Sequence, residues 1–385
     1  MRAYVFTDPT LTKRAGQFVW LSIDTEKARN APFTKKYPIR AWPSMYVIDP
    51  ESEKIVLRWV GGATVAELDK IFDDGRRASS RPTASTDSLA KADALFSEGK
   101  YEESIPAYRA ALKTLPKTSP SYARALESLL FDLSTERQPV ECASLSRSSM
   151  PSLRGTVAGA SVAQSGLDCA LKLPAEAPDR ASMIAAFEKD VREVLADPKL
   201  HLPADDRSGL YGSLFDARED AHDKEGAERV AREWVADLDA AAAAAKTPEQ
   251  LTALDPNRLN AYEAAGELDK AIPMLEKSEK DFPDDYNPPA RLALVYLKLK
   301  RYDDALTASD QAMAKVYGPR KLRVYSQRIA IYQGMGDETA AHKTMQDALA
   351  YAEALPPGQR SESTIASLRN QLGSEPGSAA GPCGH

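Results

Sequence analysis

Gly266, Leu268, Ala271, Leu275 and Ser278 stand at spacings that return in register as Lys300, Tyr302, Ala305, Ser309 and Ala312. They return again as Gly336, Glu338, Ala341, Met345 and Ala348. The turn positions 266, 300 and 336 are 34 and 36 residues apart. An earlier copy reads Gly99, Tyr101, Ser104, Tyr108 and Ala111, with Pro116 following. Steps of three and four residues put these positions on one face of a helix. A self-similar unit of this length constrains the fold more than any composition does. One such unit cannot cover its own apolar face, so its neighbours must stack on it.

A second set of positions completes the unit. Tyr262, Tyr296 and Tyr332 fall four residues before the three C-terminal turns. They can fill the groove into which small Ala271, Ala305 and Ala341 let a second helix approach. Proline after the second helix, as at Pro283, stops it and resets the chain direction. This pattern resembles the tetratricopeptide family, whose unit is a pair of antiparallel helices of about 34 residues. Two weaker copies follow the same plan. One runs through Tyr211, Leu214 and Phe215 to Gly226, Ala227, Ala231 and Trp234, its second helix lengthened by Ala240 to Ala245. The other opens with Tyr122, Leu126 and Leu129. It then decays into Ser- and Pro-rich sequence at 144–166, where irregular helices or a long loop are expected. The resemblance implies a stacked solenoid over 88–372, divergent over 119–207, whose concave surface grips a protein or peptide partner.

The first 76 residues read differently. Phe18–Asp24, Ser44–Asp49 and Lys54–Val60 are β-branched and aromatic runs bounded by turn residues, and predict strands. Thr64–Phe72 predicts a capped amphipathic helix. Asp8-Pro9 opens a further helix before Phe18, and Trp42-Pro43 precedes the second strand. The order of elements around Trp42-Pro43 resembles the later two-thirds of a thioredoxin-like domain. The resemblance makes Pro43 a cis-proline and Trp42 and Pro43 the substrate-binding pair. That family's C-x-x-C and the strand between 18–24 and 44–49 are missing, although strands 18–24 and 44–49 would then face each other with unpaired edges. A gene product that begins upstream, carrying that strand, a C-x-x-C and an export signal, is expected on this ground. The alternative is a degenerate domain kept for docking. Residues 77–87 predict a linker and 373–385 a disordered tail. The fold class is therefore α+β and multidomain, a partial thioredoxin-like α/β domain followed by an all-α tetratricopeptide-type solenoid.

Little else carries chemistry. Net charge −6 gives no general footprint for nucleic acid, which needs clustered Lys and Arg. No run of about 18 apolar residues predicts a membrane span. The first residues hold no apolar stretch of a secretory signal, so the chain as written reads as cytoplasmic, and as periplasmic under an upstream extension. Cys142, Cys169 and Cys383 contain no C-x-x-C and are expected as two buried helix thiols and one on the tail. His201, His222, His342 and His385 are too scattered for a local metal pair. No metal, cofactor or catalytic residue is expected. Gly61-Gly62 reads as a strand-to-helix turn, Asn287-Pro288-Pro289 as a helix-breaking turn, and the acidic pairs on helices as solvated faces. The leading reading is a non-enzymatic interaction scaffold. The rival is a thiol–disulfide oxidoreductase whose C-x-x-C lies upstream, with the repeats recruiting protein substrates.

Overall fold

The computed structural model describes residues 4–39, 42–79 and 88–374. In chain order the regular elements are α1 (Ala31–Lys36), β1 (Ser44–Ile48), β2 (Ile55–Val60), α2 (Val65–Ser79), α3 (Ser88–Ser97), α4 (Tyr101–Thr114), α5 (Pro120–Thr135) and α6 (Pro139–Leu153). They continue with α7 (Val157–Leu171), α8 (Arg180–Ala196), α9 (Ala204–Asp220), α10 (Lys224–Ala244), α11 (Pro248–Thr252) and α12 (Asp255–Ala264). The last are α13 (Ala271–Asp281), α14 (Asn287–Lys298), α15 (Tyr302–Lys315), α16 (Arg320–Met335), α17 (Glu338–Ala354) and α18 (Glu362–Ser374). The chain divides into two compact units. One holds the residues up to 18 together with 39–265, the other 19–38 together with 266 onward.

In the first unit β1 and β2 form an antiparallel hairpin, pairing Ser44 with Val60, Tyr46 with Arg58 and Val47 with Leu57. Asp49 builds the turn: its Oδ1 accepts the backbone N–H groups of Glu51 and Ser52 and the Ser52 hydroxyl. Those donors lower its carboxyl to about 2. The hairpin is covered on both faces. Leu57 packs with Ala63 and Ile71, while Arg58, only 2% exposed, points the other way among the rings of Tyr46, Phe96 and Tyr101. Its guanidinium also donates to the Tyr101 hydroxyl at 2.9 Å. Helix α2 starts as expected, with a reciprocal capping box in which Thr64 Oγ1 accepts the Glu67 N–H and Glu67 accepts the Thr64 N–H. It runs on through Ser79, past the point where the linker was expected to start; residues 80–87 lie outside the described ones.

The strand expected over Phe18–Asp24 does not form. Among the described residues the sheet has two strands, and 19–24 have no regular structure. Phe18 turns inward against Phe72 at 5.1 Å, beside Leu11 and Leu68, while Val19 and Leu21 are 88% and 74% exposed. Strand propensity expresses itself only against a neighbouring edge, and here no edge is offered. The helix expected after Asp8-Pro9 is a 3-10 turn, Pro9–Arg14, capped by the Asp8 carboxylate. Arg14 crosses from it to Asp69 and Asp73 of α2.

Beyond the hairpin the first unit is a run of helix pairs. A buried junction ties α2 to the first two pairs. Arg124 of α5 grips Asp93 of α3 through two 2.8 Å bonds and reaches Asp74 of α2, while the Tyr108 hydroxyl of α4 donates to the same Asp93. The irregular stretch expected at 144–166 is instead two regular helices, α6 and α7. Gly155 turns the chain in the left-handed region, φ +72°, and Thr156 caps α7 by accepting the Gly159 N–H. The serines and alanines that looked loop-like are the buried face of these helices: Ala143, Ser146, Ser149, Ala160 and Ala163 are all inside. Gly166 lets the Phe187 ring of α8 close on α7, in space where a Cβ would clash. Cys142 and Cys169, expected as thiols, form a disulfide joining α6 to α7 with a Cα–Cα distance of 5.9 Å. Pairing two cysteines 27 residues apart requires the antiparallel return of these helices, which the expected loop did not supply. Cys383 lies outside the described residues.

The second unit repeats the scheme in α13 to α18. Ala271, Ala305 and Ala341 are fully buried, as their spacing predicted. Asn287-Pro288-Pro289, expected as a helix-breaking turn, opens α14, and both prolines are buried in its first turn. Proline is at home there because the first N–H groups of a helix have no intrahelical acceptor. Residues 24–36, including α1, lie along the loops that precede α16 and α18, where Thr34 donates to the Gly358 carbonyl and Gln359 to the Thr25 carbonyl.

Candidate functional site

The sequence singled out Trp42 and Pro43. Their peptide bond is cis, and both side chains are exposed, Trp42 by 59%. The Pro43 carbonyl accepts the Gly61 N–H at 2.9 Å, which closes the mouth of the hairpin and fixes the corner from which β1 departs. The pair thus forms an outward apolar corner on a framed backbone. No cysteine lies in this module: the chain's cysteines are Cys142, Cys169 and Cys383.

A second place was not legible as a site. The turn Gly61-Gly62 and the start of α2 meet α9 so closely that a Cβ on Gly62 would sit 3.4 Å from the Asp206 carboxylate. Glu127 of α5 and Asp206 of α9 both feel Glu67 of α2, and Asp205 adds to the charge at Asp206. Burial raises the Glu127 carboxyl to about 8, with the charge of Glu67 pushing the same way and a bond from Ser161 and the charge of Arg124 opposing. Burial, then Glu67 and Asp205, lift Asp206 to about 6. Glu127 and Asp206, from two different helices, can therefore hold protons near neutral pH. Among the described residues no three His, Cys, Asp or Glu side chains are placed to hold a metal ion. Four isolated acidic residues outside the acidic pairs, Asp93, Asp132, Asp190 and Asp255, are buried. For Asp93 the signal was present, because Phe96 lies three residues on, along the same helix face.

The repeat turns are the most regular feature of the helical part. Gly99, Gly266 and Gly336 all take positive φ, and so do the non-glycine residues Arg137, His222 and Lys300 at the equivalent turns. Ion pairs cross neighbouring helices within and between repeats, as at Arg207–Asp237, Arg218–Glu188 and Lys315–Glu279. The helices therefore present charged outer rows over cores of alanine, leucine and tyrosine. Among the described residues no helix is long and apolar enough to cross a membrane.

Comparison with known proteins agrees with the period. A family model described as Tetratricopeptide repeat matches residues 262–320, and a second of the same description matches 89–117. Among solved structures, a tetratricopeptide repeat protein from Parabacteroides merdae is similar at 12% identity, with a TM-score of 0.46, over 74% of this chain and 97% of that one. No curated protein matches the chain. Tetratricopeptide repeats are thus matched at these two stretches, both within the helical part.

Proposed function

We propose that the chain is a protein-interaction scaffold that presents the surface of its stacked repeats to a protein or peptide partner. The observation that carries this is the repeat architecture itself. Its large side chains are spent on the shared cores, which leaves long, charged helix faces available for recognition. The hairpin module, with Trp42 beside Pro43, serves as a second contact for the same partner. In this reading the domains are the hairpin module up to about residue 76 and the repeats over 88–372, and the concave side of the repeats is the principal binding face. Cross-linking of the full chain in an extract of its own cells tests it. Partner cross-links should concentrate in 88–372; partners captured only through residues 4–79 would remove the repeats from the binding role.

The second reading is a thiol–disulfide oxidoreductase of the thioredoxin kind. What supports it is the order α1, Trp42-Pro43, β1, β2, α2. The chain holds no C-x-x-C, and the sulfurs of Cys142 and Cys169 are inside the helix pair, at 0% and 1% residue exposure. Thiol–disulfide exchange needs an accessible attacking thiolate. Insulin reduction by this chain is expected to be blank, and measurable turnover would reverse the ranking of the two readings.

A further inference from the structure

Residues 24–36 are laid across three alternate connections of the second unit. Tyr286 stands at the entry to α14, Tyr317, Gly318 and Arg320 at the entry to α16, and Gly358 and Gln359 at the entry to α18. Each connection contributes a contact. Tyr286 donates to the Glu26 carboxylate at 3.2–3.3 Å, and Arg320 Nε donates to it at 2.9 Å. The Tyr317 hydroxyl donates to Asp24 at 2.6 Å. Gln359 Nε2 holds the Thr25 carbonyl at 2.8 Å, and Thr34 Oγ1 donates to the Gly358 carbonyl at the same distance. The glycines make the approach feasible: a Cβ on Gly318 would run into the Glu26 carbonyl, and one on Gly358 into the Ala31 carbonyl. Two equivalent connections thus lack a side chain where the segment's backbone passes, at the Glu26 turn and at the start of α1. The two carboxylates are matched by phenol and guanidinium donors near the starts of α14 and α16, where a helix favours negative charge.

We propose that this edge is a recognition site for a peptide turn that presents two carboxylates two residues apart, and that residues 24–36 are its built-in occupant, displaced by a partner segment presenting the same pair. The occupant is held in the manner of an exchangeable ligand. Apart from Ala31, which is buried, the contacts of Asp24, Thr25, Glu26 and Thr34 are polar and partly open to water, and each such bond can be traded for water at small cost. Upstream of it, Val19 and Leu21 are exposed and supply no apolar anchor. This edge is not the helix face of the proposed scaffold, and either surface can bind without the other.

The test uses the full chain and, as the probe, a fluorescent peptide copying residues 19–38. Asp24→Ala with Glu26→Ala removes the carboxylates from the resident segment and leaves the edge intact. The peptide should bind that variant at least tenfold more tightly than the unaltered chain, and adding Arg320→Ala should cancel the gain. The same peptide carrying Asp24→Ala and Glu26→Ala should not compete. Equal affinity for both chains, binding to neither, or indifference to Arg320→Ala overturns the proposal. A second measurement guards against misfolding. Hydrogen exchange over residues 25–34 should rise at least tenfold in Gly358→Ala and in Glu26→Ala while α16 and α17 stay protected. Unchanged protection of 25–34 in both variants would mean a permanent structural strap and would also overturn it.

Discussion

Lys300 holds φ +58° at a turn where the copies before and after it carry Gly266 and Gly336 at φ +70° and +77°. The left-handed region costs a residue with a Cβ about 1 kcal/mol or more, so Lys300→Gly should raise stability by about 0.5–1 kcal/mol. A higher urea midpoint at unchanged slope would show it, and a lower midpoint would mean that the lysine side chain itself supports the turn. Asp93 is a harder test. It is the shared acceptor of Arg124 and Tyr108, so Asp93→Ala leaves a buried guanidinium without its main partner and should cost roughly 3–5 kcal/mol. Glu127 gives the pH dependence. Its carboxyl is raised to about 8 in the fold, so between about 4.5 and 8 the folded chain keeps a proton that the unfolded chain has lost. Stability from this group is present below that window and falls as pH rises through it. Glu127→Gln should therefore stabilise at pH 8 and change little at pH 4.5, by thermal melts at both values; an equal effect at both would disprove the link. The turn glycines were legible because a period exposes them. Glu127 was not, because its neighbours Glu67 and Asp206 are 60 and 79 residues away in sequence and met only through packing.

At the scale of elements, the disulfide is the largest departure from expectation. It closes a loop of 27 residues between α6 and α7, for which chain entropy suggests a contribution of about 3.5 kcal/mol. Replacing both cysteines by serine should lower the urea midpoint accordingly. Adding reductant to the unaltered protein should do the same once unfolding exposes the bond, and identical midpoints in all three samples would mean the bond does not form. The helices α6 and α7 escaped the sequence reading because their buried face is made of Ser, Ala and Gly, which in sequence resemble a loop. Small residues there serve close approach, as at Gly166 against Phe187. Asn287-Pro288-Pro289 misled in the opposite sense, since the residues that end helices also begin them. The repeat helices with large, evenly spaced residues, such as α4 and α15, were plain from Tyr101, Tyr108, Ala305 and Ala312.

On the scale of the molecule, the period fixed the class of the helical part, and the two family matches agree with it. The hairpin and its capped helix α2 were legible from alternation and a Thr-x-x-Glu box. The strand expected over 18–24 does not form, because Val19 and Leu21 carry strand propensity without a partner edge, and 19–38 belong instead with the C-terminal repeats. That division follows from contacts across nearly the whole chain, such as Glu26 with Arg320, which no local pattern encodes. The cross-link between α6 and α7 has one more consequence, which appears when the protein is pulled from its ends. A repeat array stretches by surrendering its helices and then their full chain length. The chain between Cys142 and Cys169, a sequence separation of 27, is excluded from that length until the bond is reduced. At about 3.5 Å per extended residue, roughly 90 Å of contour stays locked and is released by reductant, so the chain behaves under tension as a tether of two lengths set by the redox state of its surroundings.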